Sequence, residues 1–205
     1  MANLSSYRKS APAKPGFVDV LQQAMQAHQA GELDAAERLY RRVLNMRAAQ
    51  PDALHYLGVL YHQRGQSEQA VALVGQSLRI TPRHADAHSN LGNIHKECGR
   101  FAEAEACYRR ALELVAAHPQ ALGNLAVVLE AQERHEDARL AYAQWLECLP
   151  DDARGHYQFG RFLCAHPRER EDVEQALEAF RTAFLLDGDN LRALEALGMA
   201  LYGLG

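Results

Sequence analysis

The residues best equipped for chemistry in this chain are side-chain amides, histidines and cysteines. Asn90 and Asn124 stand 34 apart (124−90), Gln158 follows another 34 on, and Gln22 falls in the same register earlier. A primary amide offers donors and an acceptor together, which suits binding rather than bond breaking. Among the ten histidines, His84 and His88 are four apart, and His55 and His62 lie two helical turns apart on one face. No acidic residue or cysteine completes a metal set around them. His88 stands where Leu54 and Leu122 stand elsewhere, so packing is its expected role. Cys98, Cys107, Cys148 and Cys164 form no CxxC and sit inside helical phrases; they read as reduced, small buried hydrophobes of a cytoplasmic protein. There is no Gly-rich phosphate loop, nucleophile elbow or carboxylate pair off a helix surface, so the chain reads as non-enzymatic, without metal or cofactor.

The elements that carry these side chains repeat. Ala36, Ala70, Ala104 and Ala138 recur every 34 residues, and Ala176 follows after 38 (176−138). Four past each alanine stands a bulky residue (Tyr40, Val74, Tyr108, Tyr142, Phe180), and eight past stands a Leu or Phe. That is helical spacing along one face, with the alanine where two helices approach. Gly58, Gly92, Ala126, Gly160 and Gly198 lack bulk where a first helix crosses a second. Gly31, Gly65 and Gly99 follow helix ends, where a left-handed residue is easily placed. Pro82 and Pro150 end second helices, whereas Pro51 and Pro119 begin first helices, where a missing N–H does little harm. Helices of about 12–14 residues are marginal alone, so stacking on neighbours must supply the apolar burial.

This unit resembles the tetratricopeptide repeat (TPR), a 34-residue helix–turn–helix. The resemblance is clearest in LHYLGVLYHQRGQSEQAVALVGQSLRITP and HSNLGNIHKECGRFAEAEACYRRALEL, and it extends over nearly everything from Phe17 onward. It implies an all-α, right-handed α-solenoid of antiparallel helix pairs. The expected units are 17–50, 51–84, 85–118, 119–152 and 153–190, then a terminal helix over 191–205, all behind a disordered tail at 1–16. Several departures stand out. The fifth unit has four extra residues (38−34) around AHPREREDVEQ, where Pro167 stops the first helix and Arg168–Asp172 reads as a solvated charge run. Trp145 replaces the small Ala111 and Ala183, adding bulk toward the next unit, and Gln23 replaces Leu57, Leu91 and Leu125, as a solvent-facing cap would. Leu194, Leu197, Leu201 and Leu204 make an apolar last helix, and the turn position is Gly205. That pattern reads as a final half-repeat, the opening of a further pair in a longer chain, the alternative being a terminal capping helix.

In TPR arrays the first helices line a concave groove, so the resemblance implies that groove residues bind a peptide or a partner domain. By register the exposed groove positions are His55, Tyr56, Val59 and His62; Ser89, Asn90, Asn93, Lys96 and Glu97; Gln120, Asn124 and Val127; and Arg154, Tyr157, Gln158 and Arg161. The Asn90–Asn124 series is similar to the asparagine ladder of O-GlcNAc transferases, whose amides hold an extended peptide backbone; Tyr56 interrupts it here. The carboxylate clamp of Hsp90/Hsp70 co-chaperones fits less well. Laid across Ser89, Asn93, Asn124, Arg154 and Gln158, it finds two asparagines and one cation but lacks two further cations. An interaction scaffold is therefore the expected function. The alternatives are an N-terminal targeting region of a bacterial glycosyltransferase or sulfotransferase and, more weakly, an assembly or secretion chaperone.

A formal charge of −4 and a pI near 6.2 argue against a nucleic-acid module, which needs a concentrated cationic face. No apolar run reaches the roughly 20 residues that a membrane crossing needs. The N-terminus lacks the apolar core of a secretory signal. Lysine is nearly absent (Lys9, Lys14, Lys96) against abundant arginine and alanine, which suggests a GC-rich bacterial genome.

Overall fold

Short helices that cannot stand alone fold here by pairing. The computed structural model describes residues 16–189 and 191–203, with side chains through Met199. The expected tail, apart from Gly16, lies outside the described residues, as do Leu204, Gly205 and the side chain of Leu201. The first helices of the pairs are α1 (Phe17–Gln29), α3 (Pro51–Gln63), α5 (Ala85–Glu97), α7 (Pro119–Ala131), α9 (Ala153–Ala165) and α11 (Leu191–Gly203). The second helices are α2 (Leu33–Met46), α4 (Ser67–Ile80), α6 (Phe101–Leu114), α8 (His135–Cys148) and α10 (Arg170–Leu186). No strand occurs among the described residues. Each helix packs on its partner and on the next pair, giving the right-handed all-α solenoid that the period implied. Successive first helices also touch (α1 with α3, α3 with α5, α5 with α7, α9 with α11), while no two second helices do so to a comparable extent. The first helices therefore lie on the inside of the curve.

The small residues sit where close approach requires them. Ala36, Ala70, Ala104, Ala138 and Ala176 are all fully buried. A Cβ added to Gly58 would meet Val74 at 2.6 Å, and one added to Gly92 would meet the Tyr108 ring at 2.6 Å. At Gly198 nothing stands within 4 Å, since no described second helix follows α11. Trp145 is buried, as its bulk implied, but it lies chiefly against its own pair. Its ring occupies the space of a Gly123 side chain (2.6 Å) and only then reaches Gly155 of the next pair (3.2 Å). Gly123 stands in the register of Leu21, His55, Ser89 and Tyr157, so a missing side chain on α7 makes room for a large one on α8.

Gly31, Gly65 and Gly99 adopt φ of 77°, 75° and 72°, as expected of the inter-helix turn, and the fourth turn places Glu133 at φ 59°. First helices are capped at another 34-residue series. Gln50, His84, His118 and Asp152 each accept a backbone N–H of the following first turn. The fifth unit corrects two expectations. Helix α9 ends before Pro167, but most of the insertion lengthens α10 to 17 residues, against 14 in α8, rather than the turn. Nor is Arg168–Asp172 simply solvated. Asp172 is 5% exposed, accepts two hydrogen bonds of 2.8 Å from Arg139, and accepts the Arg168 backbone N–H at 2.7 Å. Burial opposes its ionisation, yet these donors hold its pKa below the ordinary carboxylate value. The cysteines are free but none is fully buried, and Cys164 is exposed, so their reading as buried hydrophobes does not hold. Burial pushes the Cys107 thiol up to about 11, which leaves it protonated and unreactive.

Candidate interaction face on the first helices

The concave face is built outward from the buried tyrosines of the alanine ladder. Tyr40, Tyr108 and Tyr142 are fully buried, and each directs its hydroxyl at a polar residue of its own first helix. The partners are His28 at 3.2 Å, Asn93 at 2.8 Å and Glu130 at 2.9 Å. Burial raises the pKa of all three phenols, so they stay neutral donors. From these anchors, polar links run from one first helix to the next. His28 meets Gln63 at 3.1 Å, His55 meets Asn90 at 2.9 Å, and His62 meets Glu97 at 3.2 Å. Further along, Asn124 donates to Asn93 at 2.9 Å and accepts from Lys96 at 2.8 Å, and Arg161 donates to Glu130 at 3.1 Å.

The residues expected in the groove thus sit on one face, with one correction and several refinements. His55 and Ser89 are not exposed: they are 1% and 2% accessible. Burial, then the nearby His84, depresses the His55 pKa to about 4, so it is a neutral imidazole at pH 7. Tyr56 is half-buried and stacks on Tyr40 (centroids 6.3 Å apart) and on His55 (4.8 Å). Asn90, Asn93, Lys96, Asn124, Val127 and Gln158 are half-buried, while Arg154 and Arg161 are exposed. Asn90 and Asn124 share a register but not a role: one faces a histidine, the other links an amide to a lysine. Arg154 lies over the Trp145 ring at 5.1 Å, and Gln158 accepts from Arg161 at 3.0 Å. Val59 borders a hollow of about 260 Å³ with Met25, Tyr40 and Tyr56; Val127 borders another of about 510 Å³ with Glu130, Arg161 and His166. His88 does not pack as Leu54 and Leu122 do. Its Nε2 donates to the Pro82 carbonyl at 3.0 Å, and His156, in the same register, does likewise to Pro150 at 2.7 Å.

Two tetratricopeptide repeat profiles match this chain, one over residues 27–94 and the other over 89–153, together more than half of its length. The chain belongs to the tetratricopeptide repeat family. No curated protein sequence matches it. Solved structures share the TPR solenoid at low identity. PilF of Pseudomonas aeruginosa aligns with a TM-score of 0.78 at 18% identity, over 88% of this chain and 80% of that one. MamA aligns with a TM-score of 0.70 at 20% identity, over 82% and 96% of the two chains. YrrB, a TPR protein with an unusual peptide-binding site, aligns with a TM-score of 0.67 at 22% identity, over 88% and 91%. At these identities the likeness concerns the fold.

Within that TPR frame, sequence reasoning passed over one series on the inner face. Asp52, Asp86, Gln120 and Arg154 stand 34 apart (86−52, 120−86, 154−120), so one register position runs from acidic through neutral to basic along the solenoid. It lies one helical turn before the amide register at Tyr56, Asn90, Asn124 and Gln158 and, unlike that register, changes its charge along its length. No group of three or more His, Cys, Asp or Glu able to hold a metal occurs among the described residues. No described helix is long and apolar enough to cross a membrane.

Proposed function

We propose that this TPR chain is an interaction scaffold that holds an extended peptide segment of a partner protein along its first helices. The observation that carries this reading is the state of charge on that face. Lys96 bonds to the Asn124 amide and Arg154 rests on an indole; among the described residues, neither has a carboxylate within 4.0 Å. Burial lowers the Lys96 pKa; the nearby Glu97 carboxylate opposes that shift and Arg154 adds to it, so an incoming anion there would meet two cations, one of them only partly offset by Glu97. Asn90 and Asn124 add unspent amide hydrogens suited to peptide carbonyls.

The test is affinity capture with the full chain from its native host. One variant carries Ala at Asn90, Lys96 and Arg154; a control carries Leu140→Asp on the outer face, where Leu140 is 69% exposed. Loss of a partner in the first and its retention in the second is the expected result. Equal recovery from both would remove the inner face as the binding surface.

A further inference from the structure

Between α3, α5 and α7 the inner face sinks into a second hollow of about 260 Å³, bounded by His55, Asp86, Ser89, Asn90, His118 and Gln120. Its charge is negative and unanswered. Asp86 and Asp52 stand one above the other in the 34-residue register, and no Lys or Arg of the described residues comes within 4.0 Å of either. The ionisable neighbour of Asp86 is His118, 3.1 Å away. His118 accepts the Ala121 N–H at Nδ1 and donates from Nε2 to Asp86, so the carboxylate is met by a single hydrogen bond rather than by a Lys or Arg cation.

The floor of the hollow is polar and unsatisfied. Ser89 Oγ and His55 Nδ1, on side chains at least 98% buried, have no hydrogen-bond partner. A buried polar atom left alone is costly. Since His55 Nε2 takes an Asn90 amide hydrogen, its Nδ1 bears the ring proton and is a donor, so of the two atoms Ser89 Oγ is the one that can accept from a ligand. Asn90 turns its Nδ2 toward His55, which leaves its Oδ1 unpartnered among the described residues, and Gln120 stands exposed at the rim. The site thus presents a carboxylate, amide oxygens and an aromatic wall at Tyr56. A planar guanidinium, with five donors in a fixed fork and a charge that never titrates away, answers that set better than any other side chain.

Next door, sharing Tyr56, lies a hollow whose wall of Met25, Tyr40 and Val59 suits an apolar side chain, with His28, Gln29 and Gln63 completing its lining. At the far end, Lys96 and Arg154 repel a cation. On this evidence, and resting on the reading of the inner face as a peptide site, we propose that the Asp86 hollow seats an arginine side chain of the bound segment. An apolar residue would lie beside it toward α1, and acidic character toward α9. Charge complementarity along the groove then fixes which way the segment lies.

The probe is a set of three acetylated, amidated peptides that differ at one residue beside a leucine: arginine, the neutral isostere citrulline, or glutamate. Each is titrated into the isotope-labelled full chain. The readouts are the side-chain amide signals of Asn90 and Gln120 and the ring signal of His118, with the Trp145 indole as a remote reference. The arginine peptide should give saturable shifts at these three residues, the citrulline peptide should bind about tenfold more weakly, and the glutamate peptide should give none. Asp86→Asn should abolish the difference between arginine and citrulline, and Asp86→Glu, checked for retained helicity, should restore most of it. Equal affinity for arginine and citrulline, an unchanged preference in Asp86→Asn, or no shift with the arginine peptide would each overturn the assignment. If it falls while the Asn90, Lys96 and Arg154 replacements still lose the partner, the groove reading survives without it; if that capture test fails too, both go.

Discussion

The inner face and the turn edge of this solenoid use the same polar residue types in opposite ways. At the turns, arginines meet carboxylates of the preceding pair. Arg64 binds Asp34 and Glu37, Arg100 binds Glu68, Arg134 binds Glu105, and Arg168 binds Glu136. The last three arginines are 34 apart (134−100, 168−134), so the ion pairs repeat with the fold. On the inner face most links are neutral or half-neutral: imidazole to amide, phenol to amide, amide to amide, lysine to amide. Exceptions exist at His62–Glu97, His118–Asp86, His166–Glu130 and Arg161–Glu130. The difference is instructive. Opposite charges joined along one edge link successive pairs and leave that edge with little free charge to offer. Charges held in place by amides keep their field, so the inner face remains able to choose a partner by charge.

If the edge is structural, breaking its most buried pair should cost the most. Arg139 and Asp172 are 12% and 7% exposed at their side chains and meet in a two-pronged bond. Arg139→Ala strands a nearly buried carboxylate and should destabilise the fold by about 3 kcal/mol. Urea unfolding at neutral pH measures it. A loss below about 1 kcal/mol, the range of exposed pairs, would show that the edge pairs are decoration and would erase the contrast with the inner face.

The next effect belongs to the inner face and is read by pH. His55 has its pKa depressed, to about 4, so the unfolded chain takes up this proton before the folded one does. The sign follows: its contribution is complete above pH 6.5 and is lost as pH falls toward 4. The groups that face it are His84, Asp86, Asp52 and Tyr56, and they change the size of the step but not its direction. A loss of about 2 kcal/mol across that window is expected. In His55→Leu, which copies Leu21 in the same register, the stability curve should be flatter over pH 4–6.5. A variant as pH-sensitive as the parent would show that His55 is not the buried neutral group described above.

The helix pairs were legible because small and large residues alternate at a period that only one architecture uses: Ala104 under Tyr108, Gly92 beneath the same ring. The left-handed turns were legible as glycines for the same steric reason. The caps were not. Gln50, His84, His118 and Asp152 do one job with three side-chain types, so no single letter repeats. Asp172 was misread because its partner, Arg139, lies 33 residues upstream and the local run looks like ordinary surface charge. The burial of His55 was hidden as well, since a register position filled by Leu21, Ser89 and Gly123 elsewhere has no fixed character. The acidic-to-basic series at Asp52, Asp86, Gln120 and Arg154 was fully visible in the sequence, but it is a gradient rather than a repeat, and a search for sameness passes over it.

Within the inner face itself, one asparagine should behave like the edge. Asn93 accepts from both the buried Tyr108 hydroxyl and Asn124. Asn93→Ala leaves that phenol unpaired and should cost about 1–2 kcal/mol, whereas Lys96→Ala, which leaves Asn124 its bond to Asn93, should fall within about 0.5 kcal/mol. Thermal or urea unfolding of the two variants separates them. Equal losses would mean that the face is uniformly structural, and the distinction between holding the solenoid and meeting a partner would vanish.

The smallest effect concerns a departure from the period. Three of the four short turns use glycine at positive φ, and the fourth uses Glu133 at 59°. A side chain in the left-handed region carries a steric cost of about 1 kcal/mol. Glycine avoids that cost but loses more backbone freedom on folding, so the gain from Glu133→Gly should be about 0.5 kcal/mol. The reverse change, Gly99→Ala, places a Cβ in open space, with nothing within 4 Å, so its penalty is purely conformational. A loss of about 1 kcal/mol is expected there. Urea midpoints of the two variants against the parent, moving in opposite directions, would show that the turn chemistry is independent of the charges around it. Should Glu133→Gly destabilise instead, Glu133 must contribute to the edge through a contact stronger than the strain it carries. The exposed turn between α7 and α8 would then hold its place through Glu133 as well as through the ion pairs that Arg134 makes there.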